Sequence, residues 1–320
     1  MEIIRNIEHL GYKKNRIITV GTFDGVHLGH REIFRVMKQK AEEKNLEVTV
    51  ISFEPHPRIF LYPWSDVKLL TSFEEKTEIL KNLGIDVFLV PEFNEELSQM
   101  SSEYFLSEYL MKRIGFCEIA VGYDHRFGKG RDGDEETVRK FARQFSVQMD
   151  KIEAVAIDDE KIGSSAIRQM MEAGNIKKAA KFLGRFYSFT GKVVSGLQRG
   201  RKIGFPTANI ELSNPVKQMP KNGVYAVFME IDGVLCQGVM NIGIRPTFDN
   251  KNEVFREVHL FDFSQDIYGK KVTVFLAEII RNEQKFNGIE ALAAQIKNDV
   301  ETAQFILRKI ENPLVYLQVN

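Results

Sequence analysis

RIITVGTFDGVHLGHREIF runs from Arg16 to Phe34, and its reading decides the architecture of the first half of the chain. RIITV is a short β-branched run with the character of a strand. From His30 a helical pattern continues through HREIFRVMKQKAEEKN. Between them lies a turn holding Gly21, Phe23, Asp24, Gly25 and Gly29. Two of the six histidines, His27 and His30, fall where the helix opens. A helix mouth collects unpaired N–H groups and a positive partial charge, which suits phosphate. One helical turn separates the imidazoles, so both side chains can face one ligand. Gly29 lets a nucleotide come close. The plainer reading is that one histidine caps the helix and the other is an ordinary surface residue. No carboxylate or cysteine stands at metal-ligand spacing on that helix. No thiol or hydroxyl nucleophile stands beside the pair, so no covalent intermediate is indicated.

The same alternation extends outward. Strand-like runs EVTVISF, DVFLV, EIAVGY and SVQMDKIEAVAI are separated by helical patterns SFEEKTEILKNLG, SEYFLSEYLMKRIG and DEETVRKFARQFS. Strand and helix in turn imply a parallel sheet with helices on its faces. Ligands on such sheets bind beyond the carboxyl ends of the strands, where GTFDGVHLGH lies.

After Leu183 the texture changes. FTGKVVSG, PTANIEL, GVYAVFMEI, VLCQGVMNIGI, REVHLFDF and KKVTVFLAEII follow one another with only turns between. Asp232-Gly233 between apolar runs signals a type I′ hairpin. Consecutive short strands imply a small antiparallel barrel, and a helix from about Gly288 to Ile310 ends the pattern. We expect domains at 1–183 and 184–320.

The 320 residues carry 44 basic and 44 acidic side chains, so no global field draws the chain to nucleic acid or a membrane. Any polyanion site must be a local concentration of charge. Cys117 and Cys236 form neither a disulfide framework nor a metal cluster and read as reduced buried thiols. No apolar run is long enough to span a bilayer, and the N-terminus lacks a signal-peptide pattern. The expected location is the cytoplasm, with small molecules as partners.

In the second half GRKIGFPTANI, Gly200 to Ile210, stands out. Thr207 and Asn209, two apart on an expected strand, point the same way. Their oxygens are adequate for Mg²⁺ when phosphates and waters complete the shell. Gly200 and Gly204 flank a loop with Lys202, where backbone can approach phosphate. Glu257 and His259 share a face opposite Val258 and Leu260. A carboxylate pointing into the barrel beside such a site is a natural general base for an alcohol. Spacing alone equally allows a solvated strand face. No G-x-x-x-x-G-K-[ST] is present, which excludes a Walker-type cradle.

The chain resembles the bacterial bifunctional riboflavin kinase/FMN adenylyltransferases, also called FAD synthetases. GTFDGVHLGH, SFEPHP (Ser52 to Pro57), LLTSFEEK (Leu69 to Lys76), VGYDHRFGKGRDGD (Val121 to Asp134) and IGSSAIR (Ile162 to Arg168) carry the first half of the likeness. GRKIGFPTANI, PKNGVYAV, GVMNIGIRPTF, EVHLFDF and RNEQKF (Arg281 to Phe286) carry the second. The resemblance implies an α/β Rossmann-like nucleotidyltransferase domain followed by a small antiparallel β-barrel riboflavin kinase domain with a C-terminal helix. It implies ATP-dependent phosphorylation of riboflavin to FMN, then adenylylation of FMN to FAD with release of pyrophosphate. His27 and His30 would hold the ATP phosphates, in a turn with Gly21, Phe23, Asp24 and Gly29. Asp124 would help position the nucleotide, Arg126 would add positive charge at the ATP phosphates, and Ser164, Ser165 and Arg168 would hold the triphosphate. Thr207 and Asn209 would hold Mg²⁺, with Gly200, Lys202 and Gly204 near the ATP phosphates, and Glu257 would activate the riboflavin 5′-hydroxyl. Pro55, His56, Pro57, Arg281 and Phe286 would border flavin. His125 stands where the family has Phe, and Gly163, Ser165 and Ala166 also differ from its pattern. These differences admit a second reading, a kinase whose first domain has become a flavin- or RNA-binding regulatory module. A third, H-x-G-H as a class I aminoacyl-tRNA synthetase signature, lacks the lysine-rich partner loop and any basic tract.

Overall fold

The computed structural model describes residues 1–196, 200, 203–246 and 252–314. Its contacts divide the chain into two compact units, Met1–Gly163 and Ser164–Asn320.

The first unit is built on a six-stranded sheet: β1 (Glu2–Ile4), β2 (Arg16–Val20), β3 (Glu47–Ile51), β4 (Val87–Leu89), β5 (Glu118–Gly122) and β6 (Gln148–Ile152). The order is β1-β4-β3-β2-β5-β6, and every pairing is parallel. The inner strands β2 to β5 are largely apolar and buried because helices cover both faces, giving two separate buried clusters, whereas edge strand β6 carries Gln148, Asp150 and Lys151. Edge strand β1 is too short to announce itself in the sequence; only its pairing with β4 reveals it. From β2 the chain passes to β3 on one side and later to β5 on the other. The gap between β2 and β5 is therefore the topological switch point.

In the second unit, β9 (Tyr187–Val194), β10 (Ala208–Leu212), β11 (Gly223–Ile231), β12 (Val234–Pro246), β13 (Asn252–Leu260) and β14 (Lys271–Arg281) close into an antiparallel barrel. A short hairpin, β7 (Ala156–Ile157) with β8 (Glu160–Lys161), precedes it in the chain. Asp232 and Gly233 both take positive φ, 50° and 79°, as a type I′ turn requires. Tyr225, Val227 and Met229 fill the barrel interior and are fully enclosed. Alternate residues Val224, Ala226 and Phe228 face outward onto Ala303 and Leu307 of the helix Ile289–Leu307. Arg281 anchors that helix: its Nε and Nη2 donate to the buried Asp299 carboxylate at 2.8–3.1 Å.

Candidate active sites

The loop after β2 and the loop after β5 both emerge at the switch point. Gly21 still belongs to the sheet edge, its N–H donating to the Ile51 carbonyl at 3.0 Å. Phe23 and Val26 then take positive φ, 46° and 39°, and both are buried. For a β-branched residue such as Val26 this is a strained conformation, kept only where the surroundings impose it. Asp24 supplies part of that constraint. Its buried carboxylate accepts from the backbone N–H groups of Leu70 and Thr71 at 2.9–3.2 Å, and the Gly25 N–H donates to Thr71 Oγ1 at 3.0 Å. Asp24 thus ties the turn to the LLTS segment.

His27 is the N-cap of helix α1 (Leu28–Lys44), its Nδ1 accepting from the His30 backbone N–H at 3.4 Å. Accepting at Nδ1 fixes the neutral tautomer with its proton on Nε2, leaving that N–H as the donor the ring can offer. The His30 ring stacks on His27, centroids 3.6 Å apart, and meets Phe23 edge-on at 5.2 Å. One geometry thus holds a capping His27 with a second imidazole stacked on it. Gly29 has a concrete reason: a Cβ there would stand 3.2 Å from the His27 ring. The first turn of α1 holds no acidic residue to offset its positive end.

Beyond β5, Asp124, His125, Arg126 and Arg131 line a cleft of about 620 Å³ together with Asp134 and Glu135. Hydrogen bonds hold this loop at both ends. Phe127 and Gly133 bridge through mutual backbone bonds, and the Asp132 carboxylate accepts from the Ser102 N–H. Arg126 pairs with Asp134 at 3.1 Å, an exposed contact. His125 stacks on Phe127, centroids 5.1 Å apart. Desolvation, with the Arg131 guanidinium, pushes its imidazole down to about 4.

Elsewhere in this unit Pro55 follows a cis peptide bond, and the buried His56 caps the helix Pro57–Leu61 by accepting the Arg58 N–H at 3.1 Å. In the second unit the helix Ser164–Ala173 carries Ser164, Ser165 and Arg168 away from its buried Ile167, Met170 and Met171.

In the barrel, Asn209 on β10 pairs directly with Glu257 on β13, and Glu257 pairs directly with Asn241 on β12. The row continues through Val224 to Arg281. Directly paired residues share a face, with Cβ atoms about 4.5–5.5 Å apart. Three of the residues picked from the sequence therefore lie in one line across the strands. The row faces outward, because Val224 belongs to the helix-covered face and Val258 points inside. The expectation that Glu257 points into the barrel is thereby corrected: large apolar side chains fill that interior, and the carboxylate projects from the outer wall. Thr207 sits just before β10 rather than on it. The loop behind it is held by the Gly200 carbonyl, which accepts from Ile203 and Phe205, and Gly204 takes a φ of 84°. His259 braces the same loop through Nδ1 to the Pro206 carbonyl, 2.8 Å. Lys202 lies outside the described residues. Phe286 lies under the Arg281 guanidinium at 5.5 Å.

Comparisons with known proteins accord with this two-part fold. A family profile described as FAD synthetase matches residues 10–166, and one described as riboflavin kinase matches residues 183–307. A Haemophilus influenzae protein named bifunctional riboflavin kinase/FMN adenylyltransferase is 36% identical over 310 residues, 95% of this chain and 98% of its own length. A Bacillus subtilis protein of the same name is 38% identical, over 90% of this chain and 91% of its own. The chain belongs to the bifunctional riboflavin kinase/FMN adenylyltransferase family. A crystal structure from Streptococcus pneumoniae, titled a macrolide-efflux protein, is 32% identical with a TM-score of 0.86 and covers 94% of this chain and 98% of that one. Among the described residues no helix is long and apolar enough to cross a membrane.

Three residues near these sites escaped the sequence reading. Asn241 lies beside Glu257, and its buried Oδ1 has no hydrogen-bond partner. Glu283 lays its carboxylate where a Cβ on Gly243 would stand. Lys76 is a lysine buried next to the GTFDG turn. All three sit inside quoted motifs, GVMNIGIRPTF, RNEQKF and LLTSFEEK, whose presence was the only available signal. Both cysteines are free but half-buried, and desolvation raises their thiols.

Two predictions arise here. Between pH 6.5 and about 4 the unfolded chain binds a proton at His125 that the folded chain refuses. Stability therefore falls as pH drops through that window, by up to about 3 kcal/mol, and His125 adds nothing further below it. His125→Phe removes this contribution, so urea unfolding at pH 7 and pH 4.5 should differ less in the variant than in the parent chain. The second concerns Gly196: a Cβ there would lie 2.0 Å from the Asn209 Nδ2. Gly196→Ala must displace that amide and should lower riboflavin phosphorylation at least about tenfold, with FAD formation from supplied FMN unchanged in the same preparation.

Proposed function

We propose that this chain makes FAD from riboflavin in two steps at two separate sites, working in the cytoplasm, with 1–183 and 184–320 as its working domains. The observation that carries the reading is the pair of unlike polyphosphate grips: stacked imidazoles at the mouth of α1, and the Asn209–Glu257–Asn241 row on the barrel wall.

In the kinase step the riboflavin 5′-oxygen attacks the γ-phosphorus of ATP and ADP leaves. Glu257 accepts the hydroxyl proton, and its neighbours Asn209 and Asn241 hold it in line. The residues present fit Mg²⁺: Thr207 and Asn209 offer hard, neutral oxygens, and the orphaned Asn241 Oδ1 supplies an acceptor for a bound water or hydroxyl. Bound there, the metal would neutralise charge on the transferring phosphoryl group.

In the adenylyl step an FMN phosphate oxygen attacks the α-phosphorus of ATP, and the bond to pyrophosphate breaks. This needs alignment and charge neutralisation more than covalent help. His27 donates from Nε2, and His30 and the first N–H groups of α1 add donors to the same phosphates. Arg168 brings a planar fork suited to phosphate, with Ser164 and Ser165 beside it. Asp24 acts at one remove, fixing the turn; Asp124 and Arg126 meet the nucleotide, and Pro55, His56 and Pro57 border the flavin of this step. Arg281 and Phe286 border the flavin of the kinase step.

The test is one incubation of the protein with riboflavin, ATP and Mg²⁺, with products separated over time. FMN should appear first and FAD after it. FMN without FAD would favour the regulatory-module reading of the first domain.

A further inference from the structure

Lys76, on the helix Phe73–Asn82, is 6% exposed. Its ammonium donates to the Thr22 carbonyl at 2.6 Å and to Ser52 Oγ at 3.4 Å, and Ser52 Oγ itself donates to the Thr22 carbonyl at 3.2 Å. Both groups are neutral. Among the described residues no carboxylate stands at contact distance of Lys76, and a buried cation so placed is a costly way to join two loops. The loops it joins are functional ones. Thr22 lies in the strained GTFDG turn ahead of His27 and His30. Ser52 ends the β3 ladder, its N–H donating to the Leu89 carbonyl, and leads into Pro55-His56-Pro57. The same helix is entered through Thr71 and the Ser72–Glu75 capping box, and Thr71 is held by Asp24.

We infer that Lys76 is a positioning residue for adenylyl transfer, fixing the imidazole-bearing turn and the flavin-bordering segment in one frame. The inference rests on the reading of His27 and His30 as the ATP grip. A plain structural brace here would be better made from apolar groups, since a methionine of similar volume removes the buried charge. The charge is retained where stability alone does not call for it. The acidic groups that act on Lys76 are Asp24 from the turn and Glu54 from the segment after β3. Desolvation outweighs both and lowers the ammonium from its ordinary range. Desolvation likewise raises Glu54, against the pull of Lys76.

The test uses the full chain and the variant Lys76→Met. FAD formation from FMN and ATP, riboflavin phosphorylation and the melting temperature are measured together. We expect kcat/KM for adenylyl transfer to fall about 10- to 100-fold, the kinase reaction to stay within about twofold, and the melting temperature to hold or rise. The parent chain should lose adenylyl transfer at alkaline pH as the ammonium deprotonates, and Lys76→Met should lack that limb. Unchanged adenylyl transfer in the variant overturns the inference, and so does a loss matched by a lower melting temperature. If the variant does not fold, the alkaline limb of the parent chain decides, with its own kinase reaction as reference: no limb specific to adenylyl transfer overturns the inference. His30→Ala run in parallel separates the two failures. Full FAD formation in His30→Ala sinks the ATP-grip reading; its loss, with Lys76→Met unaffected, sinks this inference alone.

Discussion

His30→Ala should cut FAD formation from FMN and ATP by about 10²- to 10³-fold, the usual loss when one preorganised donor to a developing charge is removed. The substitution is clean for structural reasons. Alanine is the best helix former, so α1 stands. The His27 cap uses the backbone N–H of residue 30, which alanine keeps. What disappears is the imidazole stacked at 3.6 Å on its neighbour and braced by Phe23. Riboflavin phosphorylation, which we assign to a barrel wall built from other residues, should be unchanged. Steady-state rates for both reactions on one folded preparation check this. Loss of both activities would mean that the two sites are not separate.

Glu257→Gln should do the reverse, lowering FMN formation by about 10²- to 10⁴-fold, the range that general-base catalysis supplies. The amide has nearly the shape of the carboxylate and keeps its place between Asn209 and Asn241, but it cannot take the 5′-hydroxyl proton. FAD formation from supplied FMN should continue at the parent rate. A folded variant that still phosphorylates riboflavin at full rate would remove Glu257 from the role of base.

The architecture was legible because it is written locally. Strand runs alternating with helical patterns, then strands joined only by turns, are periodicities within about ten residues of one another. They led to a parallel sheet and an antiparallel barrel, and both are present. The strand–turn–helix order around GTFDGVHLGH likewise put the histidines at a strand's carboxyl end. Edge strand β1 was not legible, since three residues with two exposed carry no period.

Residue types and their approximate places, then, came from the sequence alone: an imidazole pair at a helix mouth, oxygen side chains near a strand, a carboxylate on a strand of period two. Tertiary structure decided the rest. A period of two says that Glu257 and His259 share a face, but not whether that face is the inside of a barrel or its outer wall. Cross-strand register, set by segments far apart in the chain, put Asn209 and Asn241 on either side of Glu257. The fold also drove the charged end of Lys76 into the turn before His27. Such juxtapositions follow from where distant segments close on one another, and no local pattern encodes that.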